Sequence, residues 1–242
     1  IEQTMHCDMT PGQAAHYEAL RTRYRAEFLG GRGSAVDFGR RKIEVLEALL
    51  RLRQVACHPK LVDPIRADAG SGKIEALLPV VEESCAEGRK TLVFSQFTSL
   101  LAIVRDELDE RGIVHEDLDG STRDRAARVR RFHEDDACSV FLLSLKAGGV
   151  GLNLQAADRV VLLDPWWNPA VEAQAIDRAH RIGQTKTVHA VRLVSAGSIE
   201  DRVLELQERK RALADAIVAA DAGPLATMTR DDLAYLLDDR GR

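Results

Sequence analysis

The chain has 242 residues, with 45% hydrophobic and 30% charged side chains, a formal net charge of −4 and a pI near 6.0. This is the composition of a soluble globular protein long enough to bury a sizeable core. It lacks the basic bulk of an obvious nucleic-acid binder, so any DNA site has to be a local patch on a neutral or acidic body. The four cysteines (Cys7, Cys57, Cys85 and Cys138) are scattered without a Cys-x-x-Cys pair, which argues against a zinc site or a disulfide scaffold and points to a reducing cytoplasm. No run approaches the ~20 apolar residues of a membrane span, and no signal peptide is visible. The start at Ile1, in mid-pattern and without an initiator Met, reads as a fragment of a longer protein.

In chain order, Glu2–Met9 reads as a short strand. Thr10-Pro11 is an N-cap and first helical position opening a helix to about Phe28. Gly30–Ser34 is a flexible break, and a second helix is expected over 37–56, with Ile43, Leu46, Leu49, Leu50 and Val55 near helical spacing. Residues 58–72, with two prolines and two glycines, read as a loop. From Lys73 the texture changes. The pattern predicts helix 73–87, strand 91–95, helix 98–111, strand 114–118, helix 122–134, strand 139–143, a Gly-rich turn, strand 159–163, helix 169–181 and strand 187–194. Short apolar strands alternating with amphipathic helices predict an α/β fold with a mainly parallel sheet and helices on both faces. Ser198-Ile-Glu-Asp201 opens a helix to about Ala220, and a shorter helix is expected over 229–238. The division expected is a helical linker (1–70), the α/β domain (71–195) and carboxyl-terminal helices (196–242).

Ligands in such folds sit beyond the carboxyl ends of the strands. Ser95, Ser144 and Asp164 fall there. Arg178 and Arg181, three apart in a segment that reads as helix, leave one face together, with Gln174 a turn earlier. Two planar, always-charged donor forks suit a polyphosphate. Ala147-Gly-Gly-Val-Gly151 allows close backbone approach to a ligand, making Gly149 and Gly151 candidates, although a tight turn is the plainer reading. Gly120-Ser121-Thr122, read at a helix mouth, is a candidate phosphate cradle. The arginines at 123, 125, 128, 130 and 131 are as consistent with a solvated helix face as with a DNA contact.

Two tempting motifs fail. Gly70-Ser71-Gly72-Lys73 has Ala67 and Ile74 where a P-loop needs Gly and a hydroxyl residue, and it follows no strand, so Ser71 reads as a helix cap. Asp164 is followed by Pro165, which cannot orient a hydrolytic water. Trp166 and Trp167 cannot both point inward if their segment is extended. His180 and the Cys57-His58-Pro59 run read as structural rather than metal-binding.

Five blocks, Leu92–Phe97, Leu118–Thr122, Ser144–Leu154, Asp164–Pro169 and Gln174–Gln184, together resemble the second motor lobe of Swi/Snf-type ATPases in helicase superfamily two, whose motifs IV, V, Va and VI appear in order and at family-like spacing. The resemblance covers nearly the whole chain and is sharpest over 91–184. It implies a RecA-like fold with bracing carboxyl-terminal helices, in an enzyme that hydrolyses ATP with Mg2+ while stepping along double-stranded DNA and remodelling protein–DNA complexes. ATP would be bound mainly by a first, N-terminal RecA-like lobe of the same polypeptide, which would supply the P-loop Lys, the magnesium ligand and the water-orienting Glu. From this side Arg178 and Arg181 would reach the γ-phosphate as catalytic arginines. Asn153 would lie against the ribose, and Lys146 against the nucleic-acid backbone, joined there by Ser95, Gln96, Gly120 and Ser121. Leu145 departs from the hydroxyl residue common at its place. The resemblance implies no membrane partner, a protein partner on the remodelled complex, and a cytoplasmic, nucleoid or nuclear location. The alternatives are an RNA helicase lobe and a non-hydrolysing nucleic-acid-binding module.

Overall fold

The structure, a computed structural model, describes residues 1–29, 41–145, 152–179, 186–214 and 230–237. Among them the elements are β1 (Glu2–Cys7), α1 (Pro11–Leu29), α2 (Lys42–Cys57), two 3-10 turns (Pro59–Leu61 and Pro64–Ala69) and α3 (Gly72–Ala86). Next come β2 (Thr91–Ser95), α4 (Thr98–Glu110), β3 (His115–Leu118), α5 (Arg125–Glu134) and β4 (Val140–Ser144). The rest are β5 (Arg159–Leu162), α6 (Pro169–Ile176), β6 (His189–Ser195), α7 (Ile199–Ala214) and α8 (Arg230–Leu237). No helix among the described residues is long and apolar enough to cross a membrane.

The chain divides into two compact units, residues 1–7 with 73–194, and residues 8–72 with 195–242. The first is built on a six-stranded sheet in the order β1-β6-β5-β2-β4-β3. Its pairs β2–β4, β2–β5, β3–β4 and β5–β6 are parallel. β2 and β4 are buried along their whole length, as helices on both faces require. Leu92, Phe94, Phe141, Leu143, Val160 and Leu162 form one face of the core, packed with Phe132 of α5 and Ala175 of α6. This is the RecA-like, mainly parallel architecture. Glu2–Cys7 joins the sheet at its β6 edge, with Ile1 donating to Val188 O at 2.9 Å and accepting from Ala190 N at 2.8 Å.

The second unit is helical and joined by buried polar contacts between distant residues. Gln13 of α1 is fully buried; its amide donates to Val55 O and Ala56 O, each at 2.9 Å, and accepts from Gly72 N at 3.1 Å. The Tyr17 hydroxyl accepts from Ile199 N at 2.7 Å, and burial raises its pKa well above the ordinary phenol value. Glu200, fully buried in the first turn of α7, accepts from Ser195 N at 2.9 Å. The segments 8–72 and 195–242, separate in sequence, therefore belong to one packed unit.

Candidate nucleotide and nucleic-acid site

The carboxyl ends of β2 and β5 are tied together by one carboxylate. β2 and β5 run in register, with Phe94 opposite Leu162, so Ser95 and Asp164 emerge side by side. Asp164 is 1% exposed. Its Oδ1 accepts from Ser95 Oγ at 2.5 Å and its Oδ2 from Gln96 Nε2 at 2.6 Å; the Gln96 backbone N–H points at both oxygens, at 3.3 and 3.4 Å. Ser95 Oγ in turn accepts from Phe97 N at 3.0 Å. Ser95 is fully buried, so a direct phosphate contact by its hydroxyl needs that network to open. Gln96 is half-buried at the rim. Lys73 is also fully buried, its Nζ donating to Leu163 O at 2.6 Å, one residue before Asp164. The failed P-loop pattern gave no hint of this. Ser71, read as a helix cap, donates to Cys57 O at 2.6 Å.

Beyond Asp164, a second buried carboxylate holds the tryptophan segment. Glu172, 2% exposed in the first turn of α6, accepts from Trp166 N at 2.6 Å and from Arg192 Nε at 2.8 Å. Trp166 packs on the sheet core, and Trp167 is half-buried. Glu172 and Arg192 escaped the sequence reading. A Glu in a helix's first turn ordinarily reads as a dipole contact, and nothing local announces a partner on β6.

α6 ends at Ile176, short of the helix expected to 181, and Arg178 lies in the turn that follows. Arg178 N and Ala179 N bond three residues back, to Ala175 O at 3.2 Å and Ile176 O at 3.0 Å, while Arg178 O accepts from Leu154 N at 3.2 Å. That bond between segments distant in sequence lies just past the end of α6. Arg178 is 6% exposed, which corrects the picture of an arginine on an open helix face. The same bond brings Arg178 beside the Asn153–Leu154 backbone. Asn153 O meets His133 Nε2 at 2.9 Å, and its Oδ1 accepts from Gln155 N at 3.4 Å. Asn153 and Gln174 are exposed. Arg181, His180, Lys146, Gly149 and Gly151 lie outside the described residues.

The Gly120–Thr122 turn does not open the helix as expected. α5 begins at Arg125, and Asp119 Oδ1 captures Ser121 N at 2.8 Å, Ser121 Oγ at 2.7 Å and Thr122 Oγ1 at 3.1 Å. A short polar side chain competing for local donors displaces helix initiation. The Ser121 hydroxyl and N–H, followed by Thr122, hold the Asp119 carboxyl below its usual range. Gly120 and Ser121 are exposed in this turn. Much of the arginine cluster is engaged by acids. Arg128 Nη1 pairs with Asp117 at 2.9 Å and Glu116 at 3.2 Å, and Arg131 Nη1 with Glu116 at 2.8 Å. Arg123 and Arg130 are exposed. Among the described residues no three His, Cys, Asp or Glu side chains converge as a metal site.

The family described as helicase conserved C-terminal domain matches residues 72–183. The chain is similar to the helicase-like transcription factor CHR27 of Arabidopsis thaliana, 49% identical over 61% of this chain and 14% of that protein. Among solved structures it is similar to the Sulfolobus solfataricus SWI2/SNF2 ATPase C-terminal domain, at TM-score 0.76 and 28% identity, covering 98% of this chain and 97% of that one. It also matches the Sulfolobus solfataricus SWI2/SNF2 ATPase core in complex with dsDNA, at TM-score 0.80 and 29% identity, over 100% of this chain and 50% of that one. The chain spans 14% to 20% of the length of the curated relatives it matches. Motif blocks, sheet order and likeness agree: the chain belongs to the Swi/Snf-type ATPases of helicase superfamily two, as their carboxyl-terminal, second RecA-like lobe.

Proposed function

We propose that this chain is the second half of an ATP-dependent motor that steps along double-stranded DNA and remodels or displaces protein–DNA complexes, working in a reducing cytoplasmic or nuclear compartment. ATP would lie between it and a first RecA-like lobe. The observation that supports the reading best is the backbone bond from Leu154 N to Arg178 O, which sets the segment carrying the ribose candidate Asn153 beside the segment carrying the phosphate candidate Arg178. The likeness to a Sulfolobus core in complex with dsDNA supports the choice of duplex DNA.

Phosphoryl transfer is accelerated chiefly by positioning and by stabilising charge on the transferred group. In this reading Arg178, joined by Arg181 and steadied by Gln174, supplies that charge when the two lobes close, and Gly149 and Gly151 let backbone approach the nucleotide. Gln96, Gly120, Ser121 and Lys146 hold the DNA backbone, with Ser95 at the base of the same loop. In keeping with the family resemblance, Mg2+ ligation is assigned to the first lobe, and no step is routed through it.

The test replaces Arg178 and Arg181 singly by Ala and by Lys in the two-lobe enzyme. DNA-stimulated hydrolysis should fall roughly 10³–10⁵-fold for Ala, as for arginine fingers. Lys should rescue poorly because it lacks the planar fork. Arg178 is buried, so nucleotide affinity and melting temperature are measured alongside. Wild-type-like hydrolysis in both Ala variants would falsify the assignment.

A further inference from the structure

We infer that Asp164 is a positioning residue for the DNA-facing loop after β2, acting through Ser95 and Gln96 rather than touching nucleotide, metal or DNA. This rests on the reading above, which gives the Gln96 loop to the DNA backbone. The sequence singled out Asp164 only as a carboxylate that Pro165 disqualifies from hydrolysis. The structure gives it another occupation. Asp164 is 1% exposed, and its two oxygens take the Ser95 hydroxyl, the Gln96 N–H and the Gln96 carboxamide. Three donors from two consecutive residues on one carboxylate fix both the backbone and the amide plane of Gln96.

Asp164 is itself held. Leu163 N donates to Phe94 O at 2.9 Å, and the buried Lys73 ammonium donates to Leu163 O at 2.6 Å. On its other side, the segment through Trp166 is fastened by Glu172 and, through it, by Arg192 of β6. The loop proposed to meet DNA therefore shares one rigid support with the Pro165–Asn168 segment. A positioned site must be held by groups whose own geometry is locked, and Asp164 supplies that lock.

Charge and positioning make opposite predictions. A carboxylate near a phosphate path repels it, so Asp164→Asn should tighten DNA binding if charge is all that matters. If positioning dominates, the new Nδ2 faces donors of Gln96 where an acceptor is needed, the loop loosens, and DNA binding weakens.

The experiment compares Asp164→Asn, Ser95→Ala and Glu172→Gln in the two-lobe enzyme. DNA-stimulated ATPase is measured across duplex concentration, and amide hydrogen exchange is followed for the peptide containing Gln96 and Phe97. Asp164→Asn should raise the half-saturating duplex concentration about tenfold, more than it lowers the maximal rate, and speed exchange at Gln96 and Phe97. Ser95→Ala should shift both in the same direction by less. Glu172→Gln, which reaches Asp164 only through the Trp166 segment, should speed exchange at Gln96 less than either. Tighter DNA binding in Asp164→Asn, or unchanged half-saturation with only a lower melting temperature, overturns the proposal. A wild-type enzyme without DNA stimulation sinks the translocase reading instead, and unaltered exchange at Gln96 in Asp164→Asn still refutes the clamp.

Discussion

At Gly72, a methyl group would stand 1.9 Å from Asp8 O and 2.9 Å from Asp8 C, both backbone atoms that cannot swing aside. The Gly72 N–H also serves the buried Gln13 amide, so a shift there disturbs a second contact. Gly72→Ala is expected to destabilise the protein by about 2 kcal/mol or more, within the range of overpacking. Gly120→Ala, where the added carbon meets nothing within 4 Å, should stay within about ±0.5 kcal/mol. Urea unfolding of the two variants checks the contrast, and equal stabilities would refute it. Cys138 gives a pH prediction. Burial, with the Glu116 carboxylate second, pushes its thiol up to about 11. An unfolded thiol ionises near ~8.5. Between those values the folded state keeps a proton that the unfolded state releases. The contribution is therefore complete below the unfolded value and is lost as pH rises through the folded one, at up to about 1.4 kcal/mol per pH unit. Cys138→Ala should flatten the alkaline decline in unfolding free energy over that window. Parallel curves for variant and wild type would show that Cys138 does not contribute.

Among the elements, α5 carries the densest arginine cluster, and β3 neutralises much of it. Glu116, 7% exposed, holds both Arg128 and Arg131, while Asp117 shares Nη1 of Arg128 and Asp124 takes its Nε. Arg131 is half exposed, so the pairs contribute little to stability, and Glu116→Gln should cost only about 1 kcal/mol. Its larger effect should be electrostatic. Two guanidiniums lose a partner, and binding of duplex DNA at low salt should strengthen with a steeper salt slope. A fluorescence-anisotropy salt series on wild type and variant checks this; identical slopes would mean that α5 stays clear of the DNA. The same element shows where sequence legibility ends. Apolar runs such as Val140–Leu143 announced buried parallel strands, so the alternating α/β order, and with it the strand ends where Ser95 and Asp164 sit, was readable. The starts and stops of α5 and α6 were not. Asp119 captures Ser121 and Thr122 before α5, and Leu154 N takes Arg178 O after α6. Glu200 lies only 5 residues from its partner Ser195, whereas Tyr17 and Ile199 are 182 residues apart and leave no local trace.

For the whole molecule, the balance of charge sets what the isolated chain can do. A net charge of −4 gives no general attraction for DNA, and Glu116, Asp117, Asp124 and Asp135 pair with Arg128 and Arg131 of α5. Any affinity for duplex must come from a few phosphate contacts on loops beyond the strand ends. It should be weak, indifferent to sequence, and steeply salt-dependent because each neutralised phosphate releases counterions. Turnover should be absent. The Gly70–Lys73 stretch lacks the spacing and hydroxyl of a P-loop, and Lys73 is buried against Leu163 O, unavailable to a phosphate. Asp164 is occupied by Ser95 and Gln96 and is followed by Pro165, so it neither orients a water nor leaves a neighbouring Glu to do so. On the proposed reading, Arg178 and Arg181 would stabilise charge on a phosphoryl group that another lobe presents. Steady-state ATPase measurements on the purified chain, with and without two unrelated duplexes and across a salt series, should show background hydrolysis and equal, salt-sensitive binding to both. Adding the separate first lobe should restore DNA-stimulated hydrolysis, and restoration should fail when that lobe meets a chain carrying Arg178→Ala. DNA-stimulated turnover by the chain alone, persisting through further purification, would mean that the missing half of the chemistry lies within these 242 residues after all.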